Sequence, residues 1–126
     1  MKNDIKDRKD IELLVFSFYE KVKNDAIIGY FFTDVMHVNW EAHLPTMYDF
    51  WENILFHTGN YSGNPMLTHK NINQKSAITA EHFQHWITLF YETMNELFEG
   101  EKTEQAKQRA LSIATVMQIK IFKNQL

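Results

Sequence analysis

The residues best suited to chemistry in this chain are its 6 histidines and the phenol and indole groups spaced around them. His82 and His85 stand i, i+3, a spacing that lets two imidazoles share a metal ion. No Glu-x-x-His or His-Glu-x-x-His accompanies them. Their place beside the Phe83/Trp86 face reads as a pair of solvent-facing residues. His37 and His57 fall near expected helix ends and read as surface residues. His43 differs, because it lies at helical steps of three and four between Trp40 and Met47 and so points to the buried face. His69 sits in a stretch with no periodicity. Tyr19 lies at the edge of an apolar stripe, one turn beyond Val15. Spacing alone leaves two readings open for these three: ordinary core or loop residues with satisfied hydrogen bonds, or parts of one shared site. No Gly-x-Ser-x-Gly, P-loop or Gly-x-Gly-x-x-Gly occurs, so nucleophilic hydrolysis and nucleotide binding are not indicated.

Helices must position these groups. Ile11, Leu14, Val15, Phe18 and Val22 repeat at steps of three and four, the period of one helix face. Asp7 or Asp10 suits the cap. Trp40, Leu44, Met47, Trp51 and Ile54 repeat the pattern behind Asn39. Pro45, past the first turn, removes a donor there and predicts a bend. Thr79 opens the strongest helix, carrying Phe83, Trp86, Ile87, Phe90, Met94 and Leu97, with Gly100 as the residue just past its cap. Ala106, Ala110, Ile113, Ala114, Met117 and Ile121 form one face of the last helix. The stretch from Gly59 to Ile78 keeps no period. A compact domain rarely tolerates so long an irregular connection unless it is functional. The expected class is all-α, with four main helices.

Composition agrees. The chain has 126 residues, the size of one domain, so 1–126 is read as a single unit. It holds 18 aromatic residues (10 Phe, 5 Tyr, 3 Trp) but only 4 Gly and 2 Pro, too few breakers for a many-stranded sandwich. The aromatic excess suits either a well-filled core or a pocket for a large flat ligand. Cysteine is absent, which excludes disulfides, thiolate metal sites and haem attached through Cys-x-x-Cys-His. A formal charge of −3 argues against a nucleic-acid footprint. No apolar run reaches a membrane span, and a cytoplasmic protein is the default expectation. Two functions survive: a haem protein with His69 on the iron, or a helical interaction domain without a ligand.

The order of motifs resembles the truncated haemoglobins of group III. Phe18-Tyr19-Glu20-Lys21-Val22, Trp40-Glu41-Ala42-His43-Leu44 and Phe50-Trp51 carry the likeness. It continues through Tyr61-Ser62-Gly63-Asn64-Pro65-Met66-Leu67-Thr68-His69, His82-Phe83-Gln84-His85-Trp86-Ile87 and Arg109-Ala110-Leu111-Ser112-Ile113-Ala114. It spans Ile11 to Met117. The resemblance implies a truncated globin fold, a two-over-two helical sandwich around non-covalent haem b. It implies that His69 is the proximal iron ligand, and that Tyr19, His43 and Trp86 form the distal ligand-binding set. It implies haem packing by Phe32, Met47, Phe50 and Trp51. Lys70, Lys75 and Arg109 are candidates to meet the haem propionates. The chain departs from the family at Lys70-Asn71-Ile72-Asn73, where relatives often carry apolar residues or proline.

Dioxygen, carbon monoxide and nitric oxide are the ligands this implies, and hydroxyl, indole and imidazole N–H groups are donors suited to a partly anionic one. Two or three such bonds slow ligand escape. That favours oxygen sequestration, or redox chemistry with nitric oxide or peroxide, over bulk oxygen transport. A dioxygenase or peroxidase-like activity would need a separate reductase, since no flavin motif is present. The haem-free interaction domain of globin shape remains the alternative, and a monomer without nucleic-acid or membrane partners is expected.

Overall fold

The computed structural model describes residues 2–59, 61 and 77–123. His69, Lys70 and Lys75 lie outside the described residues. Among the described residues the elements are all helical: α1 (Arg8–Lys23), a short π-helical turn (Phe31–Val35), α2 (Trp40–Phe56), α3 (Ala80–Leu97) and α4 (Glu101–Lys123). None is long and apolar enough to cross a membrane.

Each helix starts where local chemistry allows. Asp7 caps α1 by accepting the Asp10 amide, while the Asp10 carboxylate reaches back to the Lys6 amide at 2.8 Å. Asn39 caps α2 by accepting the Glu41 amide at 3.1 Å. The helix runs through Pro45, whose missing donor would have faced the carbonyl of Glu41, an exposed residue that water can reach. α2 ends at His57, which takes a left-handed φ of 56° and stays exposed, as does His37 at φ 49°. Both histidines are therefore turn residues on the surface.

The start of α4 is capped across the fold. Asp4 accepts the amides of Lys102 (2.8 Å) and Thr103 (2.9 Å) and the Thr103 hydroxyl (2.8 Å). Burial alone would raise its pKa, but these bonds hold the carboxyl below its ordinary value. Gly100 makes this possible. A Cβ there would lie 2.5 Å from the Asp4 side chain, and its φ of 143° suits only glycine. α3 ends with Phe98 as its C-cap, so Gly100 stands two residues beyond the cap rather than just past it.

The helices pair as α1 with α2 and α3 with α4, and the pairs cross through α1 on α3 and α2 on α4. This is a two-over-two helical sandwich. Ile11, Leu14, Val15, Phe18 and Val22, all within 2% exposure, meet Phe90 and Met94 at 0%. Ala106, Ala110 and Ala114 bring α4 close to its neighbours. Arg8 ties the start of α1 to α2 through Asp49 (2.6 Å) and Glu52 (3.0 Å). A second, smaller cluster gathers Phe31, Ile78, Phe83, Ala114 and Met117.

Candidate functional site

Between the main core and this second cluster lies a cavity of about 400 Å³. That is within the size range of small-molecule and cofactor sites. Helix periodicity delivers its walls. On α1 the apolar stripe turns Phe18 and Tyr19 toward it. From α2, His43, Met47, Phe50 and Trp51 enter at helical steps, and Trp86 enters from α3. Phe32 reaches it from the π turn. The described residues expected in the distal set and in haem packing all line this one cavity: Tyr19, His43 and Trp86, and Phe32, Met47, Phe50 and Trp51.

The polar wall is built around Tyr19, which is 7% exposed. Its ring meets His43 edge-on at 5.1 Å, Trp40 at 5.4 Å and Phe32 at 5.8 Å. Burial pushes the Tyr19 phenol well above its ordinary value, so the hydroxyl stays a donor. The His43 Nε2 is fully buried. Phe18 bridges the two helices, edge-on to Tyr19 at 5.0 Å and to Trp86 at 5.9 Å. Trp86 stacks on Phe90 at 5.6 Å, and Phe90 stacks in turn on Trp51 at 4.8 Å. These stacks fix the indole planes, so packing sets the direction of the Trp86 N–H.

Two expectations change. His82 does not face solvent alone: it is half buried and also lines the cavity. Its Nδ1 accepts the Thr79 amide at 2.9 Å, and the Thr79 hydroxyl accepts the His82 amide, a capping box with histidine in the usual Glu or Gln position. Its ring sits edge-on to Phe31 at 4.7 Å. Placing it at the surface was an error of register, since His82 stands one turn before Trp86 and shares its face. His85 is not its metal partner; it lies 3.4 Å from Asp25, which also accepts the Ile27 and Ile28 amides. Arg109 is exposed and absent from the cavity wall, because it lies on the outer face of α4. Thr46 and Tyr61 line the cavity without having been expected there, and so does Phe83, whose helical step to Trp86 already placed both on one face.

A model of the bacterial-like globin family matches residues 3–121. The chain is a bacterial-like globin. The group 3 truncated hemoglobin of Campylobacter jejuni is 29% identical to it, with 98% of this chain and 97% of that one aligned. The crystal structure of the group III truncated hemoglobin from Campylobacter jejuni superposes with a TM-score of 0.87 at 29% identity, covering 98% of each chain. Membership of the globin family implies haem binding and, with it, small ligands such as oxygen.

The described half of the globin's site fits a haem. The cavity wall is dominated by aromatic and aliphatic side chains, as a flat apolar macrocycle requires. Its polar groups include a phenol, an indole and imidazoles, all of them able to donate a hydrogen bond. Among the described residues no group of three or more His, Cys, Asp or Glu could hold a bare metal ion.

Proposed function

We propose that this globin holds non-covalent haem b in the cavity, with His69 as the iron ligand, and binds a small diatomic ligand against Tyr19, His43 and Trp86. One observation carries the reading: polar aromatic side chains from three different helices line one largely apolar cavity. Haem, when bound, supplies an iron with an open coordination position. A chain without cysteine has no thiolate to anchor it, and His69 is the ligand that the family resemblance implies.

The chain's own residues supply the rest. Phe32, Met47, Phe50 and Trp51 exclude water and offer the macrocycle an apolar wall. The buried Tyr19 hydroxyl keeps its proton and is a donor toward a polar ligand. The Trp86 indole can only donate, and its stacking on Phe90 holds it in place. A hydrogen bond of this kind contributes about 0.5–1.5 kcal/mol, more toward an anionic acceptor. Several acting together favour slow release. That fits sequestration of oxygen, or redox chemistry on nitric oxide or peroxide with electrons from a separate reductase, over bulk transport.

Replacing Tyr19 tests this. The Tyr19→Phe variant keeps the ring packing and removes the donor, and stopped-flow displacement should show dioxygen leaving about tenfold faster. A rate that is unchanged or slower removes Tyr19 from the role assigned here.

A further inference from the structure

We infer that His82 binds a carboxylate of the planar cofactor at the edge of the cavity, an assignment that rests on the haem reading above. His82 does two things at once. Its Nδ1 accepts the Thr79 backbone N–H at 2.9 Å. A backbone amide can only donate, so the neutral imidazole must carry its proton on Nε2. The same bond, with Phe31 packed edge-on at 4.7 Å and Tyr30 at 6.3 Å, fixes the ring. Nε2–H is thus a preset donor on a residue that lines the cavity.

The remaining wall explains why this donor matters. None of the described residues lining the cavity is Lys, Arg, Asp or Glu. Tyr19, His43 and Trp86 are committed to the buried polar wall. His82 lies one helical turn nearer the start of α3, is half buried, and has access to solvent as a carboxylate would need. The positive end of the α3 dipole falls in the same turn, which favours an anion there. Glu81, the acidic residue of that turn, is exposed. Burial pushes the His82 imidazole below its ordinary value, so at neutral pH it acts as a hydrogen-bond donor rather than a cation.

The alternative is that His82 only caps α3. A charge-reversing substitution separates the two roles. Glutamate in this position completes the usual Thr-x-x-Glu capping box, so His82→Glu keeps the helix start but repels a carboxylate. His82→Gln keeps both an acceptor for Thr79 and a donor. Hemin and hemin dimethyl ester, which differ only at their carboxylates, are titrated into each apoprotein in the same detergent-containing buffer. Wild type and His82→Gln should prefer hemin over the diester by about tenfold or more. His82→Glu should lose that preference through weaker hemin binding, with diester affinity and apoprotein melting temperature retained. The inference is overturned if His82→Glu binds hemin as wild type does, or if hemin and diester affinities fall together. Failure of wild type to take up either compound overturns the haem reading itself.

Discussion

On one side of α1, Ile11, Leu14 and Val15 meet Met94 and Phe90 at exposures of 1% or less. One turn further along, the edge of the same face presents Tyr19 to Phe32, Trp40 and His43 around a cavity of about 400 Å³. Both regions are apolar and both are rich in aromatics. The first is filled by its own side chains, so every contact there supports the fold. The second is lined but not filled by side chains, so its walls forgo partner atoms that a packed core would supply. Large aromatics at such a wall pack against the core, as Trp51 and Trp86 do on Phe90, and offer the cavity a broad apolar face suited to a flat ligand. The difference separates residues such as Leu14, which only fill the core, from residues such as Met47, which also face the cavity.

Substitutions in the two regions should therefore part company. Leu14→Ala removes a fully buried side chain and should lower the unfolding free energy of the apoprotein by about 2–5 kcal/mol in urea titrations, with little change in the hemin affinity of the folded protein. Met47→Ala, at the cavity wall, should cost under about 2 kcal/mol by the same measurement yet weaken hemin binding severalfold. Equal losses of stability from the two would break the distinction between packed core and binding wall.

A third region sharpens the comparison because it is polar and remote from both. Asp4→Ala removes the acceptor for two amides and a hydroxyl at the start of α4 and should cost about 1–2 kcal/mol, with hemin affinity intact. A matching loss of hemin affinity would show that the α4 cap and the cavity act as one unit.

The smallest expected effect is in pH dependence. His82 titrates below its ordinary value in the folded protein because burial disfavours its charge. Unfolded chain then binds more protons than folded chain below about pH 6.5, so stability falls as pH drops through that value toward the folded one. Comparing apoprotein unfolding at pH 7.5 and pH 5.5 should show a smaller drop for His82→Gln than for wild type. Identical drops would mean that His82 is not a neutral acceptor in the fold.

Much of this was legible before any coordinates. Helix periods located α1 through α4, and the caps Asp7, Asn39 and Thr79 stand where short polar side chains precede apolar runs. The inward register of His43 followed from its steps to Trp40 and Met47. What spacing could not show was tertiary. The Asp4 cap joins residues nearly 100 positions apart. His82 was misread because a capping imidazole looks like any polar residue in a first helical turn, and its second face appears only when Phe31 is brought against it. The π-helical turn at Phe31–Val35 has no distinct sequence period to announce it. Family resemblance, by contrast, assigned the site as a set, because it reads the order of motifs rather than any one of them.

The most direct test of the central claim is a hemin titration of the wild-type apoprotein and of His69→Ala, followed by absorption in the oxidised, reduced and carbon monoxide-treated states. Wild type should develop a sharp Soret band that saturates at one haem per chain, and His69→Ala should give a different spectrum with weaker uptake. A wild-type protein that takes up no hemin, or a His69→Ala variant with an unchanged spectrum, would contradict the account.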